Sequence, residues 1–432
     1  MLNIAILGFG LIGSGVADVF NENESVISKK VGNTVNIKYI LDIREIKNHP
    51  LSDRLVKDFN IILNDPDISL IVETMGGSTF AFEYTKAALE KGINVVTSNK
   101  ELVAKFGAEL LKIAARTNAR YFFEASVGGG IPVIRPICNC LAANKISKIT
   151  AILNGTTNFI LTKMSNESWD FDTALKAAQE NGFAERDPSD DVDGKDTCRK
   201  ICILSSLAFG RQVPPEKVRT EGIRHITPTD ITNAEKIGCR IKLIANARKF
   251  DISDISDDNI DISDNSCNSE SVYAIVAPML VSKSSPLYHI EDVFNGIVVT
   301  GNVIGDVMFY GQGAGKLPTA SAVVADIMDA LLKSTKNIIW EVSDGNYISD
   351  FNRHQVKYYV RVGTDPEIIN SGDLNSIFYL VEKNFPDCDI HESTCKDELF
   401  FITGNVYERN FDEKIKNLSD SGFKIVSKIR IL

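Results

Sequence analysis

Residues 2–20 read LNIAILGFGLIGSGVADVF. Leu2–Leu7 is a short unbroken apolar run, the pattern of a strand buried on both faces of a parallel sheet. It leads directly into Gly8-Phe9-Gly10-Leu11-Ile12-Gly13, and Ser14–Phe20 follows with helical character. A lone G-x-G-x-x-G is weak evidence, but one set between a first strand and a helix is strong. Gly8 permits the tight turn, Gly10 lets backbone approach a pyrophosphate, and Gly13 lets helix and strand pack closely. The helix N-terminus supplies donors for the phosphates. The stretch predicts a dinucleotide-binding unit.

A second strand, Ile37–Leu41, ends at Asp42, where an acid would bond the ribose 2′-hydroxyl of NAD. It lies 29 residues past Gly13 because the polar segment 21–36 is expected to lengthen the connection. Arg44 stands two residues further on and suits a 2′-phosphate, so NAD and NADP both stay open, the acid favouring NAD. Then come strand Ser69–Glu73, helix Phe82–Lys91, strand Asn94–Thr97, helix Ala104–Thr117 and strand Arg120–Glu124. Such alternation means an α/β fold with a doubly wound parallel sheet. Ligands of these sheets lie at the carboxyl ends of strands, where Thr74-Met75-Gly76-Gly77 and Thr97-Ser98-Asn99-Lys100 fall. Ser98 and Lys100 are candidate ligand contacts.

The chain has 432 residues, enough for two or three domains. A net charge of −10 argues against a nucleic-acid partner, since phosphate contacts need clustered Lys and Arg. Eight cysteines include no Cys-x-x-Cys pair; Cys198 and Cys202 are one helical turn apart, and Cys138 and Cys140 have strand-like spacing. Free thiols in a reducing cytoplasm are expected. No signal peptide is expected before the strand at Leu2, and no apolar run approaches membrane length.

The chemistry is concentrated in NGFAERDPSDDVDGKDTCRKICIL, residues 181–204. Glu185, Asp187, Asp190, Asp191, Asp193 and Asp196 crowd together just before Arg199 and Lys200. Asp193 is expected to cap the helix that follows, with Asp196 three residues on. Asp196 and Lys200, four apart, project from one face. So many like charges beside a core helix call for a cation or cationic ligand, or else form a solvated loop. Upstream, Glu124-Ala125-Ser126-Val127-Gly128-Gly129-Gly130-Ile131-Pro132 reads as a flexible crossover whose carbonyls, beside one carboxylate, can hold a hard cation. The strand Ile149–Leu153 then leads into Asn154-Gly155-Thr156-Thr157-Asn158, a turn able to take a small polar ligand, and a helix is expected from Phe159.

Over roughly residues 1–340 these pieces resemble homoserine dehydrogenase. The resemblance rests on GFGLIG (8–13), TSNKELVA (97–104), EASVGGGIP (124–132), NGTTNFIL (154–161), GFAERDPSDDVDGKDTCRKICIL (182–204) and GAGKLPTASAVVADI (313–327). It implies reversible NAD(P)-dependent conversion of L-homoserine to L-aspartate 4-semialdehyde. It also implies Lys200 as catalytic acid/base with Asp196 as its partner, Glu185 and Asp191 on the substrate ammonium, and Lys100 next to the reacting oxygen. The Glu124 side chain and the carbonyls of Val127, Gly129 and Ile131 are implied around sodium. The helix Ser321–Leu332, opened by Tyr310-Gly311-Gln312-Gly313, is implied to return beside the cofactor. The physics agrees: reducing an aldehyde puts charge on its oxygen, which a lysine stabilises and protonates.

Three domains follow: a Rossmann-type domain over 1–130, completed by 305–345; an α+β substrate and dimerisation domain over 131–304; and a tail over 354–432. Asp251–Ser271 reads as a polar excursion from the substrate sheet. The tail shows strand Gln355–Val362, helix Asn375–Asn384, strands Asp389–Thr394 and Glu398–Thr403, helix Phe411–Ser419 and strand Lys424–Ile431. That βαββαβ order resembles the ACT regulatory module, although Asp365-Pro366-Glu367-Ile368 lacks the usual Pro-Gly turn. A homodimer or homotetramer is expected. The alternatives are a non-catalytic NAD(P)-binding sensor signalling through its tail, and a reductase of a related amino-acid semialdehyde.

Overall fold

The computed structural model describes residues 1–46, 49–251, 270–332, 338–363 and 374–432. They form two compact units: residues 1–149, 199–218 and 297–346 make one, and residues 150–198, 219–296 and 347–432 the other.

The first unit holds a parallel sheet in the order Leu55–Val56, Val35–Leu41, Leu2–Leu7, Ile68–Glu73, Asn94–Thr97, Tyr121–Phe122. Ile4, Ile6, Leu7, Leu70, Ile71 and Val72 are wholly buried, as strands covered on both faces must be. Strand order reverses between Leu2–Leu7 and Ile68–Glu73, so the turns beginning at Gly8 and Thr74 open at the topological switch point.

Several element boundaries differ from expectation. The first helix runs Leu11–Val31: the polar residues after Phe20 continue it past a non-helical Asn23 (φ −114°, ψ 20°), and Gly32 at φ 71° ends it. Residues 21–26 are exposed while Ile27 packs inward, so a sparse apolar stripe hid a real helix. Helix Lys100–Thr117 starts four residues before Ala104 because the Asn99 side chain caps it, accepting from the Leu102 N–H at 3.0 Å. The last strand shrinks to Tyr121–Phe122, with Glu124–Ser126 a 3₁₀ turn. Cys138 and Cys140 lie in a π-helical turn, Pro136–Cys140; their two-residue alternation was too short to establish a strand. Tyr310 and Gly311 belong to a strand, Gly305–Gln312, and the next helix is Lys316–Leu332. That helix packs on the first one at Gly15, where a Cβ would come within 3.1 Å of the Ala320 Cβ.

In the second unit Cys239–Asp251 and Glu270–Ser282 run antiparallel over thirteen residues each, with Leu243 opposite Pro278 and Ala245 opposite Val276. Lys424–Ile431 adds parallel to Glu270–Ser282, with Met279 opposite Arg430. Gln355–Gly363, Glu398–Ile402 and Asp389–Glu392 continue antiparallel from it. With helices Leu374–Asn384 and Glu408–Asp420 the tail has βαββαβ order, plus a short strand Val406–Tyr407. Val360, Phe401, Phe411 and Leu418 form its core, and Tyr358 stacks on Phe411 at 3.6 Å. The segment Asp365-Pro366-Glu367-Ile368 lies outside the described residues, as does 252–269 of the expected excursion. Helix Gly155–Glu167 starts before Phe159, because Asn154 caps it by accepting from the Thr157 N–H at 2.8 Å.

Candidate active site

The nucleotide end is built by close approach. Gly8 has φ +86°, and its amide donates to the Leu41 carbonyl at 2.8 Å. A Cβ on Gly13 would come within 2.1 Å of the Gly8 carbonyl oxygen and 2.9 Å of Thr74 Oγ1, so only glycine fits this turn. Thr74 Oγ1 itself donates to the Gly8 carbonyl at 2.7 Å and ties the two loops of the switch point together. Gly10 takes the N-cap position of helix Leu11–Val31 with no side-chain cap, which leaves the first-turn amides at Leu11, Ile12 and Gly13 for a phosphate.

Asp42 is buried at the end of its strand and accepts from the Phe9 N–H at 2.7 Å. The Arg44 guanidinium grips it through Nε (3.0 Å) and Nη2 (2.8 Å), holding its carboxyl well below the usual range. Arg44 itself is largely exposed and lies 3.7 Å from where a Gly10 Cβ would stand. The structure thus puts both cofactor-discriminating candidates at one spot beside the glycine turn. This cradle fits a dinucleotide.

Beneath it lies a residue that motif reading missed. Glu73 ends the strand Ile68–Glu73 wholly buried, accepting from the Thr97 hydroxyl at 2.5 Å and the Met75 N–H at 2.8 Å. Thr97 Oγ1 accepts in turn from the Asn99 N–H at 2.9 Å, and the Asn99 amide donates to the Gly77 carbonyl at 2.7 Å. One carboxylate therefore organises both loops that carry Thr74, Ser98 and Lys100. Burial pushes the Glu73 carboxyl up to about 7. Its signal in the sequence is an acid closing the apolar run Leu70-Ile71-Val72.

Lys100 is the first residue of its helix and half-buried. One turn further along, Gln212 reaches across: its Nε2 donates to the Ala104 carbonyl at 2.5 Å and its Oε1 accepts from the Ala108 N–H at 3.1 Å. The same oxygen accepts from Trp340 Nε1 at 2.8 Å. Gln212 lies three residues past helix Lys195–Phe209, the helix that carries Lys200.

The acidic stretch separates into roles. The Asn154 amide donates to Asp191 at 2.7 Å and to Asp196 at 2.9 Å, drawing the two carboxylates together. Asp196 and Lys200 are both buried on successive turns of helix Lys195–Phe209. Asp193 does not cap this helix: Gly194 (φ +80°) intervenes, and the Asp193 carboxylate is bound by Arg224 Nε at 2.5 Å. Asp187 accepts from Ser189 N–H and Oγ, closing its own turn. Glu185 is exposed and, among the described residues, shares no hydrogen bond with the Asp191–Asp196 pair; its carbonyl accepts from the Gln179 amide at 3.1 Å.

The glycine crossover is tightly packed. Cβ atoms on Gly128, Gly129 and Gly130 would come within 2.5 Å of the Ile131 carbonyl, 2.4 Å of the Gly313 carbonyl and 2.7 Å of Pro318. The Glu124 carboxylate is buried and accepts from the N–H groups of Val133 (2.6 Å), Ile134 (2.8 Å) and Arg135 (2.7 Å). Its backbone N–H donates to Asp326, which also receives Arg135 Nη2. The carbonyls of Val127, Gly129 and Ile131 accept no backbone hydrogen bond among the described residues. No group of three or more His, Cys, Asp and Glu among those residues could hold a metal, so a cation here would rest on carbonyl oxygens.

A doubly wound sheet with a glycine cradle at its switch point, and a helix that carries a buried aspartate and a buried lysine one turn apart, define an NAD(P)-dependent oxidoreductase. Residues 8–124 match the family model described as homoserine dehydrogenase, NAD binding domain, and residues 132–328 match the homoserine dehydrogenase model. A homoserine dehydrogenase of Synechocystis sp. is 40% identical over 331 residues, 76% of this chain and 73% of that one. The solved homoserine dehydrogenase of Thiobacillus denitrificans aligns over 100% of this chain and 98% of its own, with 30% identity and a TM-score of 0.86. A hyperthermophilic archaeal homoserine dehydrogenase mutant, solved with NADPH, aligns over 78% of this chain and 99% of its own, with 30% identity and a TM-score of 0.64. The chain belongs to the homoserine dehydrogenase family. These matches favour neither a non-catalytic sensor nor a reductase of another semialdehyde. No helix among the described residues is long and apolar enough to cross a membrane.

Proposed function

We propose that this chain oxidises L-homoserine to L-aspartate 4-semialdehyde, and the reverse, with Lys200 as the proton carrier. The reading rests above all on Asn154, which brings Asp191 and Asp196 together, Asp196 standing one helical turn before the buried Lys200. The substrate is an amino acid, and its ammonium needs carboxylate acceptors. Asp191 takes that role, with Glu185 joining it from the exposed side of the stretch. Asp196, one turn before Lys200, holds the lysine ammonium in place. Lys100 lies next to the reacting oxygen.

NAD(P), when bound, supplies a hydride acceptor at the carbinol carbon. In oxidation the neutral Lys200 amine takes the hydroxyl proton as the hydride leaves carbon. In reduction the Lys200 ammonium stabilises the developing alkoxide and delivers that proton back. The glycine turn at residues 8–13 and Thr74 hold the pyrophosphate end. Asp42 serves the 2′-hydroxyl of NAD and Arg44 the 2′-phosphate of NADP. Ser98, Lys100 and Gly311 complete the cofactor contacts. A sodium ion would sit on the carbonyls of Val127, Gly129 and Ile131. The Glu124 carboxylate shapes that loop through its three backbone donors. Residues 131–304 serve as the substrate and dimer-forming part of a cytoplasmic homodimer or homotetramer, and the tail over 354–432 serves as an ACT-like module.

The test compares L-homoserine with 4-hydroxybutanoate, which keeps the alcohol and carboxylate and lacks the ammonium. A fall in kcat/KM of about a hundredfold or more, narrowed in Asp191→Asn, supports the reading. Equal use of the two alcohols overturns it.

A further inference from the structure

The turn between the two carboxylates held by Asn154 is braced by residues 221–224. Ile223 N–H donates to the Val192 carbonyl at 2.9 Å, and Arg224 holds Asp193. Gly222 lies so close that a Cβ there would come within 2.3 Å of the Val192 carbonyl oxygen and 2.7 Å of the Asp193 Cα. A Cβ on Gly194 would meet the Glu221 carbonyl at 3.3 Å. The turn between Asp191 and Asp196 is thus pressed against this segment with almost no slack.

The segment itself is anchored at Glu221. Its N–H donates to the Val276 carbonyl at 2.8 Å, and its carboxylate accepts from Arg219 Nε at 2.6 Å and Arg430 Nη1 at 2.7 Å. Arg430 belongs to the last strand, Lys424–Ile431, and is 3% exposed. The rest of its guanidinium is taken by Glu408, through Nε at 2.7 Å and Nη2 at 3.1 Å, and Glu408 also accepts from the Tyr358 hydroxyl at 2.6 Å. A guanidinium buried in that fork has one geometry. An unbroken series of direct contacts therefore runs from the core of the C-terminal segment, through Arg430 and Glu221, to the turn between Asp191 and Asp196.

We propose that Arg430 is a positioning residue for the substrate-ammonium site: through Glu221 it fixes the turn Val192–Gly194 and so the placing of Asp191 and Asp196. The proposal deepens the function proposed above and rests on its reading of Asp191. Homoserine binding in this chain then depends on the C-terminal segment being docked, while cofactor binding does not.

Steady-state kinetics of the full chain test this with Arg430→Met, Glu221→Gln and their combination, beside Asp191→Asn. Each of the first two should raise the homoserine KM about tenfold and leave the cofactor KM within about twofold, with the double variant no worse than the more severe single one. Glu221→Gln leaves Arg430 bound to Glu408, and it decides the matter alone if Arg430→Met does not fold. Wild-type homoserine KM in the folded Arg430 and Glu221 variants, with Asp191→Asn impaired, overturns the proposal alone. Wild-type homoserine KM in Asp191→Asn overturns the reading of the ammonium site beneath it.

Discussion

The side-chain amide of Asn154 donates to the buried carboxylate of Asp196 at 2.9 Å. The same amide reaches Asp191, while its oxygen caps helix Gly155–Glu167, so both polar atoms of the side chain are used. A small amide is the only neutral side chain that can cap a helix and also donate to two carboxylates. Asn154→Ala removes both donors and leaves two carboxylates to repel. Its homoserine KM should rise about ten- to a hundredfold, from lost hydrogen bonds to charged groups, with cofactor KM unchanged. Initial rates over a homoserine series measure it, and an unchanged KM contradicts it.

Arg44 is the residue to change for cofactor preference. Its guanidinium now neutralises Asp42 beside the glycine turn, a place where either ribose substituent would arrive. Arg44→Ala should raise the KM for NADP about tenfold and spare or improve NAD, since Asp42 is then left to receive a 2′-hydroxyl. Equal loss with both cofactors would show that Arg44 serves the common part of the nucleotide.

Glu73 gives a stability prediction whose sign follows from its burial. Its carboxyl is raised from the ordinary 4.5 to about 7, so the folded state holds the proton more tightly than the unfolded chain does. Between these values the folded protein binds more protons, and stability falls as pH rises. Glu73→Gln removes that slope. Its melting temperature relative to wild type should climb from pH 5 to pH 7 and then level off, whatever constant offset the lost hydrogen bonds impose. A difference that stays flat across this window would mean Glu73 titrates as an ordinary carboxyl.

Gln212 ties the segment after the Lys200 helix to the helix that Lys100 begins. Gln212→Leu keeps the volume and orphans the Trp340 N–H, the Ala104 carbonyl and the Ala108 N–H from this amide. A loss of about 2–4 kcal/mol is expected on denaturant unfolding, in the range for buried polar groups stripped of a partner. A loss under about 0.5 kcal/mol would mean that the helix re-forms its own hydrogen bonds there.

The nucleotide half was largely legible from its residues because its signals are local. Gly8 and Gly13 sit where turn geometry requires them, and the unbroken apolar runs mark strands buried on both faces. The helix beyond Phe20 was not legible, since only Ile27 of its second half turns inward. Asp193 was misread as a cap because spacing cannot reveal that Arg224, thirty-one residues later, would hold it. The sequence places Asn154 in a turn able to take a small polar ligand, but its grip on Asp191 and Asp196 spans 37 and 42 residues and could not be read there. The same holds for Glu73 with Thr97, and for Gln212 with a helix more than a hundred residues earlier. Long-range polar contacts leave no periodic trace in a sequence, and in this chain they are what positions the site.

The role of Lys200 is tested by following NADPH and NADH formation from L-homoserine by the wild type and by Lys200→Ala, with cofactor affinity measured in parallel. Wild-type turnover is expected, with a variant whose kcat falls by about a hundredfold or more, the usual yield of a positioned acid/base, while cofactor still binds as in wild type. A Lys200→Ala variant that keeps most of its kcat would contradict that role, and the proton would have to travel through another group, Lys100 first among them.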